Sequence, residues 1–206
     1  MSIITYNNRS IANISAIPGA AQSLTHIKTL TASSSATLSF VDGSDDVVLD
    51  STYPIYVFKY IGIHPATDDA HFMFQGNAAG GSGYNETITS SSFRAYHNEG
   101  DSDTSLSYGT GSDQAQGTSF QRLMPFMDND NDSNGSGELF LFNPSSTTFV
   151  KHFISTAQGV YNSAYSWNMF IAGYFNTTSA IDEIQFKMSS GNIDAGTIKL
   201  YGLKDS

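Results

Sequence analysis

The chain reads as short runs of alternating apolar and polar residues, cut at close intervals by Gly, Asn, Asp, Ser and Pro. Alternation with period two sends successive side chains to opposite faces of a strand, so each such run predicts a strand with one buried face. The clearest case lies near the C-terminus, where Ile184, Phe186 and Met188 alternate with Glu183, Gln185 and Lys187. Turn signals follow at Ser190-Gly191-Asn192 and Asp194-Ala195-Gly196, and a final strand over 197–201 turns Ile198 and Leu200 inward. The stretch from Tyr53 to Ile63 is different. Ile55, Val57 and Ile61 occupy one face and Tyr56, Phe58 and Tyr60 the other. A run that is apolar on both faces predicts a central strand covered on two sides, and Pro65 ends it.

Further strands are expected at Thr37–Phe40, around Phe72 and Phe74, at Phe93–Tyr96, at Leu106–Tyr108, at Ser119–Met124 and at Gly137–Phe142. From Thr148 to Ile154, Phe149, Lys151 and Phe153 alternate with Val150, His152 and Ile154. Trp167 to Phe175 is an apolar strand broken by Gly173, and Gly76 to Gly83 reads as a loop. Seven to ten strands at this spacing indicate one all-β domain, a sandwich or closed barrel with long loops at one end, and a single antiparallel β-sandwich is the expectation. Residues 1–25 do not follow the pattern. They are small and polar, carry Ile11, Ile14 and Ile17 at a spacing of three, and are broken by Pro18-Gly19. We expect an extended N-terminal arm over 1–25, packing on its own domain or on a neighbour, and a sandwich domain over 26–206.

Composition narrows the function. A chain of 206 residues is long enough for a core without staples, and with no cysteine neither a disulfide nor a thiolate metal site can form. Nine Lys and Arg stand against nineteen Asp and Glu, a net charge of −10, so a phosphate backbone is repelled and nucleic acid is not an expected partner. Anionic membrane surfaces are disfavoured for the same reason, and no apolar run approaches the ~20 residues of a membrane span. The first residues show no charged segment followed by an apolar one, so no signal peptide is expected.

The residues that could carry chemistry are few. Asp128, Asp130 and Asp132 alternate as in the opening of a calcium loop, but Ser133 stands where the sharp-turn Gly belongs and Leu139 where the bidentate Glu belongs. A solvated hairpin turn is the expected reading. His26, His64, His71, His97 and His152 occur singly, with neither HxH nor HExxH spacing, although His64 and His71 are near enough in sequence to pair. Asp182-Glu183 and Asp68-Asp69 are adjacent, which on a strand sends the two carboxylates to opposite faces. No catalytic, cofactor-binding or metal-binding residue is therefore assigned, and no enzyme is expected. Tyr84, Tyr96, Tyr108, Tyr161, Tyr165 and Trp167 lie near loops or strand ends, where exposed rings stack on sugars or fill protein interfaces.

The segment from Ser179 to Lys204, with its I-x-F…G-x-I-x-L-Y-G-x-K pattern over Ile184–Phe186 and Gly196–Lys204, resembles the ending of tailed-bacteriophage virion proteins. Tyr53 to Pro65 resembles the central strand of the same group. The resemblance implies a jelly-roll-like sandwich without catalytic residues, located in the virion after synthesis in a bacterial host cytoplasm. It also implies a homo-oligomer, a trimer favoured, with the major capsid protein or other virion proteins as partners. A capsid decoration protein that docks on the head and stabilises it is the first expectation. The alternative is a tail or fibre-tip adhesin that holds host surface glycans through its loop aromatics.

Overall fold

The alternating runs become thirteen strands and no helix among the residues that the computed structural model describes, 24–162 and 164–204. In chain order they are β1 (Leu24–Thr31), β2 (Thr37–Val41), β3 (Ile55–Pro65), β4 (Ala70–Ala78), β5 (Ile88–Asn98), β6 (Thr104–Tyr108) and β7 (Gln114–Gly117). There follow β8 (Gln121–Met127), β9 (Gly135–Phe142), β10 (Lys151–Tyr161), β11 (Tyr165–Phe175), β12 (Ile181–Met188) and β13 (Ile193–Leu203). All pairings are antiparallel.

Hydrogen bonding runs along β1-β13-β3-β9-β10-β8-β4-β12-β2. The link from β10 to β8 is a single residue pair, Tyr161 with Met127, and there the sheet folds over into two layers. One layer contains β1-β13-β3-β9 and the other β2-β12-β4-β8. The chain crosses from layer to layer between β1, β2, β3 and β4, again from β8 to β9, and again from β12 to β13. Two four-stranded sheets wound in this way form a jelly roll, so the predicted all-β sandwich is the fold observed. The count of strands exceeds the predicted seven to ten because of two insertions. One supplies β5, β6 and β7 between β4 and β8; the other supplies the hairpin β10–β11 between β9 and β12. They join each other: β10 adds to β9, β11 to β10, β5 to β11, and β6 and β7 share the free edge of β5.

The core lies between the layers and is mostly aromatic. Phe58 of β3 meets Phe186 of β12 at 5.5 Å and Phe40 of β2 at 5.3 Å, and Tyr60 of β3 meets Phe72 of β4 at 5.3 Å. Farther along, Phe74 of β4 packs edge-on against Phe153 of β10 at 5.1 Å and Phe175 of β11 at 6.1 Å. Edge-to-face pairs of this kind contribute about 0.5–1.5 kcal/mol each beyond the area they bury. Two polar groups that enter the core from β3 and β10 find partners there. The Tyr60 hydroxyl donates to the Glu138 carbonyl and shares a hydrogen bond of 2.6 Å with Ser155 Oγ. Burial pushes its pKa up. Lys151 shares the inward face with Phe153, as the alternation predicted, and its ammonium donates to the Thr177 carbonyl at 3.2 Å. Burial lowers the Lys151 pKa, and the nearby Glu86 charge opposes that shift.

Several local expectations are corrected. Gly173 does not break β11, which runs on to Phe175. A Cβ there would lie 2.6 Å from the Thr89 carbonyl oxygen and 2.7 Å from Phe153 Cζ, so the glycine lets three strands approach. Gly76 belongs to β4, where Gln75, buried, anchors the strand to the Glu86 and Ser119 carbonyls. The loop over 128–134 joins β8 in one layer to β9 in the other and is not a hairpin turn. Leu24 and Thr25, assigned to the arm, open β1 opposite Leu203 and Gly202; the rest of the arm lies outside the described residues.

Phe186 also contacts Phe40, Phe72 and Phe74, so truncation there removes contacts in both layers. Phe186→Ala is expected to cost about 3–5 kcal/mol and Gly173→Ala about 1–3 kcal/mol in urea unfolding.

Candidate interaction surface

The sequence singled out an acidic loop, histidines, carboxylate pairs and aromatics, and the folded chain gives most of them structural work. In the acidic loop Asp128 Oδ1 accepts from the Asp130 amide at 3.0 Å, and Oδ2 accepts from the Ser133 hydroxyl at 3.2 Å. The loop closes on itself, and the described residues contain no cluster of three His, Asp or Glu able to hold a metal ion. His64 and His71 do not pair. His64 Nδ1 bonds the Ser133 carbonyl at 2.8 Å, while His71 Nδ1 accepts the Phe126 amide at 2.9 Å. Asp182 and Glu183 do not follow simple alternation, because the pairing of β12 with β4 shifts between Ile181 and Glu183 and both Ile181 and Ile184 are buried. Glu183 accepts the Tyr84 hydroxyl at 2.7 Å, and burial raises the pKa of Asp182.

Four of the six aromatics come together, and their rings are used on one another. Tyr161 and Tyr96 each lie nearly parallel to Trp167, at 4.5 Å and 5.0 Å between centroids. The Arg94 guanidinium sits 4.7 Å from the same indole, and Tyr165 packs edge-on against Tyr96 and Tyr161. Trp167 is buried, and this cluster extends the core under the β10–β11 hairpin. Tyr84 is half-buried in its bond to Glu183. Only Tyr108 presents an exposed ring.

The exposed apolar surface lies elsewhere, on the outward face of the strands that the insertions supply. Alternation along β10 turns Phe153, Ser155 and Ala157 inward and His152, Ile154, Thr156 and Gln158 outward. Register carries the outward set across the sheet: Thr156 lies beside Phe170, Phe170 beside Phe93, and Phe93 beside Tyr108. Relative exposure is 49% for Ile154, 37% for Phe170, 48% for Phe93, 52% for Tyr108 and 74% for Leu106. These are five of the eight large hydrophobic side chains exposed among the described residues. Phe93 and Phe170 stack at 4.7 Å with their planes 8° apart. Phe140 and Phe142 of β9 prolong the face, and Ile154 sits beside Phe140.

Of this face the sequence reading had only Tyr108. A signal was present in β11, where Trp167, Met169 and Ile171 alternate with Phe170, Ala172 and Tyr174. That strand is apolar on both faces, as β3 is, and among the described residues only its inner face is covered. The two-sided cover expected for β3 is incomplete as well, since Ile61 is 48% exposed.

His71 supplies a pH test of the described geometry. Burial first, and the Arg122 charge second, lower its pKa from the usual 6.5. The neutral ring is the form that accepts the Phe126 amide, so its contribution is complete above pH 6.5 and is lost as pH falls through the lower folded-state pKa. His71→Asn, which keeps an acceptor but does not titrate, is expected to flatten the fall in urea midpoint below pH 6.5. An unchanged pH profile in the variant would show that His71 is not the group responsible. Compared with protein-family models, curated proteins and solved structures, the chain matches none.

Proposed function

We propose that the chain is a structural protein of a tailed-bacteriophage virion, a non-enzymatic capsid decoration protein that docks on the head and stabilises it. The observation that carries this reading is the jelly-roll winding, closed by the β12–β13 segment whose pattern prompted the resemblance. Jelly rolls recur in viral capsid proteins, where strands crossing between two sheets make a stiff block with surfaces free for docking. They recur in lectins as well, so the fold alone does not choose a role. The aromatic cluster bears on that choice. A ring holds a sugar by its open face, and Tyr96, Tyr161 and Trp167 have spent faces on one another. That supports docking to protein over the glycan-binding adhesin. The histidines and carboxylates described above serve strand contacts and loop closure, which supports a structural role over a catalytic one.

On this reading the chain acts as a homo-oligomer, three copies favoured, with the major capsid protein as its partner. Cryo-electron microscopy and mass spectrometry of purified particles are expected to find many copies on the head. Particles lacking the chain are expected to rupture at a lower temperature. Its absence from particles, or its presence only at the tail tip, would overturn the proposal.

A further inference from the structure

A strand that is apolar on both faces belongs between two covers. For β11 the inner cover is the opposing layer, which buries Trp167, Met169, Ile171 and Phe175. The outer positions Phe170, Ala172 and Tyr174 have no counterpart within the described residues. We propose that the outer face of β10, β11, β5 and β6 is a contact between copies of this chain. This assignment deepens the homo-oligomer reading above and rests on it, with a two-fold pair of copies in place of the three favoured there, but it does not depend on where in a virion the chain sits.

Charge selects a second copy as the occupant. Each copy carries a net charge of −10, so two copies repel unless they meet where charge is missing. The outward positions of these four strands hold no Asp, Glu, Lys or Arg. The neighbouring outer face of β3 and β9 carries the Lys59–Glu138 ion pair, and the outer face of β12 carries Glu183 and Lys187. The strands themselves are therefore free of charge on this side, and carboxylates border the face at its far edge, where Asp113 accepts the Tyr108 hydroxyl at 2.9 Å and Asp101 lies 3.0 Å from His97.

Shape makes the face complementary to itself. The stacked rings of Phe93 and Phe170, continued by Tyr108, form a ridge. Beside it Ser91, Ala172 and Gly173 leave a trough of about 470 Å³, walled by His152, Ile154 and Tyr174. A ridge and a trough on one face allow the ridge of each copy to seat in the trough of the other, which is the requirement of an isologous contact. Three strands of eleven residues and one of five, about 4.8 Å apart with about 3.3 Å per residue, offer about 600 Å² per copy. Two such faces bury about 1,200 Å² in total, within the range of specific interfaces.

Sedimentation velocity of the full chain at micromolar concentrations tests the proposal. The unaltered protein is expected to sediment as an oligomer. Phe170→Asp, and independently Ile154→Lys, are expected to weaken association by about 30-fold or more. Both side chains are exposed, and far-UV circular dichroism with an unchanged urea midpoint confirms that each variant folds. Thr37→Asp, on the opposite layer, is expected to leave association unchanged. A monomeric unaltered protein would overturn the proposal, as would an oligomer indifferent to both variants. A monomer that binds a hydrophobic dye at this face only after residues 1–23 are removed would also overturn it, assigning the face to the chain's own N-terminal segment. None of these results alters the particle assay, so this contact and the virion reading can fail separately.

Discussion

The structure depends on ring-to-ring contact between two layers of strands. Phe58 and Tyr60 project from one layer, and Phe40, Phe72 and Phe186 from the other, at centroid separations of 5.3–5.5 Å across the gap. Large rings fill the roughly 10 Å between packed sheets with few side chains, which suits a sequence in which aromatics make up 13% of residues and charged groups only 14%. Without that contact neither layer has a reason to stay folded over the other, because the hydrogen-bonded link between them at β10 and β8 is one residue pair. Strand order follows from the same demand. Each crossing from layer to layer returns an apolar face to the shared core.

The insertions are subject to that constraint and extend beyond it. Phe153 and Phe175 reach back to Phe74, so β10 and β11 belong to the core as firmly as the eight strands of the jelly roll. Their outward side owes nothing to that core, yet its strands carry no charge and its exposed apolar side chains continue through β5 to β6. Exposed apolar groups without nearby charge lower solubility, and a chain that keeps them across four strands has a use for contact there. This is why the functional interest lies on a sheet face rather than in a cleft.

Much of the fold was legible because it rests on period two. Ile184, Phe186 and Met188 point inward as their spacing predicts, and Tyr56, Phe58 and Tyr60 form the core face of a central strand. A Cβ at Gly202 would run into the ring of Tyr53, so glycine permits the close approach there. Pairing between distant strands was not legible. Nothing in residues 84–118 announces that β5 will pair with β11 over eleven residues, because partners some 80 positions apart leave no local mark. For the same reason the aromatic candidates were misjudged. Trp167, Tyr96 and Tyr161 lie near strand ends in sequence but stack in space, while Phe93 and Phe170, unremarkable in their runs, are brought together on an open face. Alternation says which side a residue takes, but not whether anything in the chain covers that side.

The central claim is that the uncovered face meets its own copy, and distance between copies tests it most directly. The chain has no cysteine, so a single introduced thiol carries a spin label at one chosen site. Gln158 lies outward on β10 at the end of the face, and Thr37 is exposed on β2 in the opposite layer. In pulsed electron paramagnetic resonance, labels at Gln158→Cys are expected to give a narrow distance between copies that does not exceed the length of the shared face, about 30 Å. Labels at Thr37→Cys are expected to give a much longer one. A shorter distance at position 37 than at 158, or no distance between copies at either site, would contradict the account.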